Sequence, residues 1–331
     1  MTHGEGVRRG IGYAVGIKNI GFSEGFDDYS TARARIQIIN GEPVVEIHTA
    51  AAEVGQGLVT LKGQIARTEL GVQRVVVHVS DTQVGSAGST SASRQSYVTG
   101  GAVQTACKAL RDDILLLAME KLGHLHPHLL HFRSQYRLVD GEIRDGEGHF
   151  VTSLADLLKD KTLEATREYR HRPTTPIDPI TGQGLPHAQF SFAGHRAVVD
   201  VDTETGLIKV VEMAIVQDVG KAMNPQAVEG QLEGGSAQGL GLAVLEEIQV
   251  VDGKVKNPSF TDYLIPTVLD MPPVKSVMLE YADEHAPYGL RGVGESPTIS
   301  STPAIVSAIR QATGLPLNRV PVRPEHITQT I

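Results

Sequence analysis

Apolar and polar residues alternate with a period of two along Ala32-Arg33-Ala34-Arg35-Ile36-Gln37-Ile38-Ile39, and the alternation resumes in Val44-Val45-Glu46-Ile47-His48 after Asn40-Gly41. That period sends successive side chains to opposite faces of a sheet, and Asn-Gly supplies the left-handed backbone of a two-residue turn, so the segment predicts a β-hairpin. The period then changes. Leu58, Leu61, Ile65 and Leu70 recur at helical spacing ahead of Gly71, a stop signal, and Val75, Val77 and Val79 return to strand alternation before Asp81-Thr82. A glycine–serine loop from Gly85 to Ser96 precedes a long amphipathic helix with Val103, Ala106, Leu110, Ile114, Leu117 and Ala118 on one face and Gly123 at its end.

The second half repeats this mixture. Phe190 to Val201 and Leu207 to Val216 read as strands joined at Glu204-Thr205-Gly206, and a glycine-rich helical segment runs from Glu229 to Leu245. Ser301-Thr302-Pro303 reads as an N-cap and first-turn proline, opening a helix that Gly314 ends. Pro173, Pro176, Pro179 and Pro186 fall in a stretch with few apolar anchors, which predicts an inter-domain connection. The expected fold class is α+β, with mixed sheets and packed helices in two subdomains. Their predicted bounds are 1–166 and 190–331, joined by a proline-rich connection over 167–189. A chain of 331 residues suits two domains of ~100–200 residues each.

Charge and composition remove several functions. With 30 basic against 38 acidic residues the net charge is −8, and no run of Lys or Arg offers a phosphate-tracking groove, so nucleic acid is not an expected partner. Ile114-Leu115-Leu116-Leu117-Ala118-Met119, the longest apolar stretch, is far short of the ~20 residues that span a bilayer, and Met1 to Gly6 lacks a signal-peptide apolar region; a cytoplasmic, non-membrane protein is expected. The single cysteine, Cys107, rules out an internal disulfide, a thiolate zinc cage and an iron–sulfur cluster held by this chain alone. Electrons of any redox reaction would leave through another subunit. His124, His126, His128 and His131 are interrupted by Pro127 and read as a solvated loop, so no metal bound by protein side chains is expected.

Four places carry candidate chemistry. Gly292-Val293-Gly294-Glu295-Ser296-Pro297 sets one carboxylate in a glycine-flanked turn before a helix, where it either caps backbone amides or serves as a general base. Gly55-Gln56-Gly57 precedes a helix whose first amides can bind an anion, while Gln56 offers donors and an acceptor to a planar heterocycle. The loop from Ser86 to Ser96 supplies hydroxyls, amides and the guanidinium of Arg94, a set suited to phosphate or pterin. Gln231 offers another amide on a face cleared by glycines. Ala237-Gln238-Gly239-Leu240-Gly241 is not a dinucleotide fingerprint, because it lies within a helical pattern and lacks the preceding strand.

The order of these motifs is more informative than any one of them. Glu53-Val54-Gly55-Gln56-Gly57 with Thr60 and Gln64, then Ser91-Ala92-Ser93-Arg94, Asp218-Val219-Gly220 with Asn224-Pro225, Glu229-Gly230-Gln231, Asp262-Tyr263 and Gly292-Val293-Gly294-Glu295 resemble the carboxyl-terminal half of the molybdenum-binding subunit of the xanthine dehydrogenase and aldehyde oxidase family. The resemblance implies a molybdenum–molybdopterin cofactor, with the cytosine dinucleotide as one form, whose metal takes its sulfur ligands from the pterin. It implies that Glu295 is the catalytic base and that Gly55, Gln56, Gly57, Thr60, Ser91, Ala92, Ser93, Arg94, Gln95, Gln231, Gly292 and Gly294 bind the cofactor. Phe22 lies where relatives place an aromatic against the substrate.

The implied reaction is oxidation of a purine-like N-heterocycle, of the xanthine or hypoxanthine type, with oxygen derived from water. Nicotinate or aldehyde oxidation and a non-catalytic assembly module are the alternatives. The family's first half is absent, so the implied partners are a large molybdenum subunit, an iron–sulfur subunit and an FAD subunit. The methionine start makes a natural medium subunit, as in nicotinate-dehydrogenase-like enzymes, the expectation over a fragment.

Overall fold

The computed structural model describes residues 6–122 and 136–328. In chain order the strands and helices begin with β1 (Val7–Ser23), β2 (Tyr29–Ile39), β3 (Glu42–Thr49), α1 (Leu58–Leu70), β4 (Arg74–His78), α2 (Gln95–Leu122), β5 (Arg137–Val139), β6 (Glu142–Arg144), β7 (Phe150–Ser153), α3 (Leu154–Leu158) and β8 (Leu163–Arg170). They continue with β9 (His187–Asp202), β10 (Ile208–Asp218), α4 (Pro225–Val244), β11 (Val250–Val251), β12 (Lys254–Val255), β13 (Val274–Leu279), α5 (Ser296–Thr313) and α6 (Glu325–Thr328). This is the α+β mixture expected. The histidine-rich stretch and Gly123 lie outside the described residues.

Two compact units emerge, and neither is a simple half of the chain. One comprises Ile20–Gln189 and Asp283–Gly292; it holds the serine-rich loop and is called the serine-loop unit. The other, the glutamate unit, comprises the described parts of Met1–Asn19, Phe190–Ala282 and Val293–Ile331. The predicted cut over 167–189 is therefore replaced by four chain crossings. Residues 167–170 belong to β8, which pairs antiparallel with β2, and the proline-rich stretch is tied down by Thr175 N donating to Leu185 O (3.0 Å) and Arg172 Nε donating to Ala188 O (2.8 Å). Its prolines lack donors, but their neighbours supply enough hydrogen bonds to hold it in place.

In the serine-loop unit the predicted hairpin forms, with Asn40 and Gly41 both left-handed at the turn (φ 55° and 81°). The sheet order is β4-β3-β2-β8, and α1 is the crossover between the parallel pair β3 and β4. Ala32, Ala34 and Ile36 point to the buried face, where Ile65, Leu70, Val98, Val103, Ala106 and Leu110 of α1 and α2 are also fully buried. Arg33, Arg35, Glu46, His48 and His78 occupy the opposite face, because alternation allows one face of β2 and β3 to be apolar and the other polar. Residues 283–292 are anchored within the same unit: the Tyr288 hydroxyl donates to Glu69, which also accepts from Arg111 Nη1 at 3.0 Å. Burial and the neighbouring carboxylate both push the Tyr288 phenol upward, so it remains a donor.

The glutamate unit has a sheet of order β1-β9-β10-β13, with β9–β10 antiparallel and β10–β13 parallel. Ala197, Val199, Val201 and Met213 of the sheet form one core with Leu240 of α4 and Ala304, Ile305, Ala308 and Ile309 of α5. Each fully buried Ile or Leu contributes about 1.5–3 kcal/mol of transfer free energy. The side chain of Asn224 caps α4 by accepting from Ala227 N at 3.0 Å, and Pro225 fills the first turn, where a missing N–H costs nothing.

β1 was not anticipated from the polar start of the chain, because Gly10, Gly12 and Gly16 weaken any strand pattern. Packing explains them. A β-carbon on Gly10 would come 2.0 Å from Ala308 O, and one on Gly12 would come 2.2 Å from Ala304 O, so α5 lies directly on the backbone of β1. Helix α5 also begins earlier than predicted. Ser296 is its first residue and Pro297 its first-turn proline, while Pro303 lies inside the helix on its exposed face.

Candidate active site

Glu295 ends its glycine turn as the residue that heads α5. Its backbone is already helical (φ −102°, ψ −22°), and its side chain makes no capping bond. A capping side chain needs an extended backbone at this position to fold over the first amides, so the helical conformation turns the carboxylate away from that task. It meets Lys18 Nζ at 3.0 Å and stays accessible, with 45% of the side chain exposed. Lys18 completes the inward row Gly10, Gly12, Ala14, Gly16, Lys18 of β1: the first members lie on successive turns of α5, and the last reaches the head of the helix. Lys18 Nζ also donates to Asn19 O at 2.5 Å, which fixes the ammonium. Within the serine-loop unit, a β-carbon on Gly292 would lie 1.8 Å from Ser93 O, so the backbone of Gly292 rests on that of Ser93.

Within the glutamate unit the first part of α5 is pinned by His195. This buried side chain bridges Ser300 Oγ (2.8 Å, from Nδ1) and Ser236 Oγ (2.9 Å, from Nε2). Burial holds His195 near a pKa of about 4, so it is neutral at pH 7. Gln231 is half-buried on α4. A β-carbon at Gly230 or Gly234 would meet nothing within 4 Å, whereas one at Gly235 would strike Pro297 at 2.7 Å. Gly239 also faces α5, since a β-carbon there would meet Ser301 Oγ at 1.6 Å, and one at Gly241 would meet Glu246 at 1.9 Å; Gly235 and Gly239 thus seat α5, while Gly230 and Gly234 leave the helix backbone beside Gln231 bare.

The serine-loop unit departs from expectation at several predicted residues. The amides ahead of α1 are already taken. Glu53 Oε1 accepts from Gly55 N (2.9 Å) and Gly57 N (3.1 Å), and Oε2 accepts from Val59 N (2.8 Å). Burial raises the Glu53 pKa, but these three N–H groups and Lys62 outweigh it and hold the carboxyl below its ordinary value. Gln56 is folded onto its own loop, accepting from Val54 N at 2.7 Å and donating to Ala52 O at 3.0 Å. Thr60 is exposed on α1.

Arg94, expected to grip phosphate, is fully buried. Its guanidinium binds the Asp28 carboxylate, Ala87 O, Ser89 O (3.1 Å) and Tyr29 O (2.9 Å), which uses all five donors inside the protein. Gln95 likewise donates to Ser89 O at 3.0 Å and accepts from Thr99. Arg94 and Gln95 therefore shape the loop from within. Ser91 is exposed, its hydroxyl paired with Ser89 Oγ at 2.6 Å, and the half-buried Ala92 and Ser93 follow in consecutive left-handed conformations (φ 54° and 51°), with Ala92 O accepting from Gly21 N at 3.0 Å. Phe22 lies edge-on to Phe26 (4.9 Å) with Arg94 5.4 Å from its ring centre, so the aromatic is packed within its own unit.

Sequence reasoning did not single out Lys18, Asp28, Lys62 or His195. Asp28 neutralises Arg94. Lys62 is fully buried in α1 with Nζ donating to Thr49 Oγ1 at 3.0 Å; burial lowers its pKa to about 8, partly offset by Glu53. The available signal for Lys18 was a charged residue closing an alternating row of small ones. For Lys62 there was none, since helical periodicity does not report how deep a lysine sits.

The molybdenum–pterin group implied by the sequence needs hydrogen-bonding groups from the protein, because its metal is chelated by its own sulfurs. In the serine-loop unit Ser91 has a hydroxyl of that kind, and in the glutamate unit Gln231 has an amide beside the bare Gly230 and Gly234 backbone. Glu295 supplies an accessible proton acceptor.

Comparison with known proteins shows the family. The profile of a family described as molybdopterin cofactor-binding domain matches residues 1–272. The chain is 31% identical over 330 residues to a probable xanthine dehydrogenase subunit of Bacillus subtilis (strain 168), covering 98% of this chain and 42% of that protein. It is 27% identical over 339 residues to the nicotine 6-hydroxylase large subunit of Paenarthrobacter nicotinovorans, covering 97% and 40% respectively. The crystal structure of quinoline 2-oxidoreductase from Pseudomonas putida 86 superposes with a TM-score of 0.81 at 29% identity, over 97% of this chain and 42% of that one. The chain spans less than half the length of the relatives it matches.

Proposed function

Because the chain belongs to the molybdopterin cofactor-binding family, among the molybdenum-binding subunits of the xanthine dehydrogenase and aldehyde oxidoreductase group, we propose that it supplies the general base and part of the cofactor-binding surface of a molybdenum hydroxylase. The observation that carries this reading is the Glu295 carboxylate, which heads a helix without capping it and is held, still accessible, by Lys18. A molybdenum–pterin group, when bound, supplies the two-electron redox chemistry. Glu295 takes a proton at a carboxylate oxygen, and Lys18 orients that oxygen. Ser91, Ala92, Ser93, Gln56 and Gln231 hold polar edges of the pterin and its phosphate or cytosine dinucleotide extension, while Arg94 and Gln95 keep the loop in shape from behind.

The substrate class in this reading is a purine-like N-heterocycle of the xanthine or hypoxanthine type. Support comes from relatives named for xanthine, nicotine and quinoline, all ring nitrogen compounds. Electrons leave through iron–sulfur and FAD subunits, and a large molybdenum subunit supplies the remaining site. A single cysteine in the chain and the exposed Ile11, Tyr13, Val15 and Ile17 row on β1 suit such partners. A cytoplasmic setting belongs to the same reading; among the described residues no helix is long and apolar enough to cross a membrane.

Replacing Glu295 with Gln in the assembled complex is expected to leave bound molybdenum intact and to abolish turnover. Undiminished turnover would remove Glu295 from the mechanism. A panel of hypoxanthine, xanthine, nicotinate and an aldehyde decides the substrate: the highest kcat/KM is expected for a purine, and an aldehyde optimum overturns the heterocycle assignment.

A further inference from the structure

The polar face of the sheet in the serine-loop unit holds a group of side chains that the proposed reaction does not use. Glu46 and His48 stand two residues apart on β3, and His78 lies opposite His48 in the parallel register with β4. The two imidazoles stack 4.2 Å apart at 9°. Glu46 Oε2 is 3.5 Å from His48 Nε2 and 3.8 Å from His78 Nε2, and the three ligand atoms lie within 4.8 Å of one another.

Two details separate this group from a chance polar patch. The His48 side chain is buried, with 11% exposure, and its Nε2 makes no hydrogen bond although it lies beside the other two ligand atoms. A buried imidazole nitrogen without a partner is costly unless something binds there. The outer supports are also in place. Asp81 Oδ2 lies 2.8 Å from His48 Nδ1, which assigns the proton to Nδ1 and directs the lone pair of Nε2 toward Glu46. Gln37 Nε2 donates to Glu46 Oε1 at 2.7 Å, so Oε2 is the oxygen left for a ligand.

We propose that Glu46 Oε2, His48 Nε2 and His78 Nε2 bind a divalent cation of the zinc class. Two imidazoles and one carboxylate favour a borderline transition ion over Mg2+ or Ca2+, which prefer all-oxygen sites. Tetrahedral zinc keeps neighbouring ligand atoms about 3.3 Å apart, so the Glu46 contacts need little change. His78, with 45% of its side chain exposed, turns out of the stack to complete the set, and a water takes the fourth position. Arg35 Nη1, 4.0 Å from Glu46 Oε2, is the neighbouring charge that opposes the ion. The site would tie the edge strand β4 to β3 and steady the turn at Asp81, whose amide bonds Thr49 O at 2.9 Å.

The test titrates Zn2+ into the chelator-treated full chain, in the complex in which it purifies, against a chromophoric chelator. His124, His126, His128 and His131 are replaced by Gln to remove the other histidine-rich stretch. One equivalent of Zn2+ per chain is expected, with affinity falling at least 100-fold in both His48→Gln and His78→Gln and remaining unchanged in His149→Gln, a control for the exposed His149 beside Asp145. Should His48→Gln fail to fold, His78→Gln decides alone, because an exposed imidazole can be changed with the metal-free melting temperature intact. Absence of one-equivalent uptake, or equal uptake by His78→Gln, overturns the site.

Discussion

Glu53 and Glu295 stand in similar glycine-rich turns at the heads of α1 and α5, and they do opposite things. Glu53 lies five positions before the first residue of its helix, and the left-handed Gly55 and Gly57 (φ 102° and 83°) fold the intervening chain so that three amides converge on its carboxylate. Glu295 heads its helix directly, in a conformation that cannot cap, and its carboxylate meets a lysine from another strand. The first carboxylate is bound by its own loop; the second pairs with Lys18 and keeps 45% of its side chain exposed. Distance from the helix start and the backbone angle at the glutamate decide the difference, not the residues that flank it.

The largest expected effect tests that contrast. Glu295→Gln is expected to lower turnover per bound molybdenum by about 10²–10⁴-fold, equivalent to about 3–5 kcal/mol of barrier, whereas Glu53→Gln leaves the turnover of folded, molybdenum-loaded protein within about threefold of the parent. Equal losses in steady-state assays would show that the two turns are not different in kind.

Acid is expected to loosen α5. The unfolded chain protonates His195 near its ordinary value, while the folded chain withholds the proton down to about 4. A depressed histidine stabilises above the unfolded value and loses that contribution as pH falls toward the folded one. About 3 kcal/mol is therefore present above roughly pH 6.5 and mostly gone by roughly pH 4.5. Urea unfolding at both pH values, in the parent and in His195→Asn, measures it; the variant is expected to show the flatter dependence.

Glu53→Gln is expected to cost about 1–2 kcal/mol of stability in denaturant unfolding at pH 7, the size of a lost helix cap with charged acceptors. Since the Glu53 carboxyl is held low, its contribution is present above the ordinary carboxylate range and fades as pH falls through the folded value. Smallest is Lys18→Met. An accessible ion pair contributes at most about 1 kcal/mol, so the melting temperature is expected to move by only a few degrees while turnover falls more than stability does. The reverse pattern would make Lys18 a structural residue and leave Glu295 without its positioning partner.

Much of the fold was legible because it is encoded locally. Asn40-Gly41, the Leu58 to Leu70 spacing with Gly71, and the β9–β10 turn each carry their signal within a few residues, and each element formed where its pattern placed it. Among candidate site residues, the position of Glu295 in its turn was readable, but Ser301-Thr302-Pro303 gave a false helix start, since a proline within a well-buried helix resembles one at its beginning. Arg94 looked like a ligand-binding guanidinium because nothing near it in the chain shows that Asp28 and Tyr29 O, 66 and 65 residues away, consume its donors.

By itself, then, the order of residues determined the β2–β3 hairpin, α1 and the β9–β10 pair, the α+β class, the family and the glutamate on which the proposed chemistry depends, because turns, periods and motifs are properties of neighbours. Only the tertiary structure decided that the first strand joins the distant sheet, that Glu53 satisfies the amides meant for a ligand, that Lys18 meets Glu295, and that Glu46, His48 and His78 converge. Those outcomes rest on pairings between residues far apart in the chain, where strand register and burial, rather than local pattern, choose which polar groups are already bonded and which remain to bind.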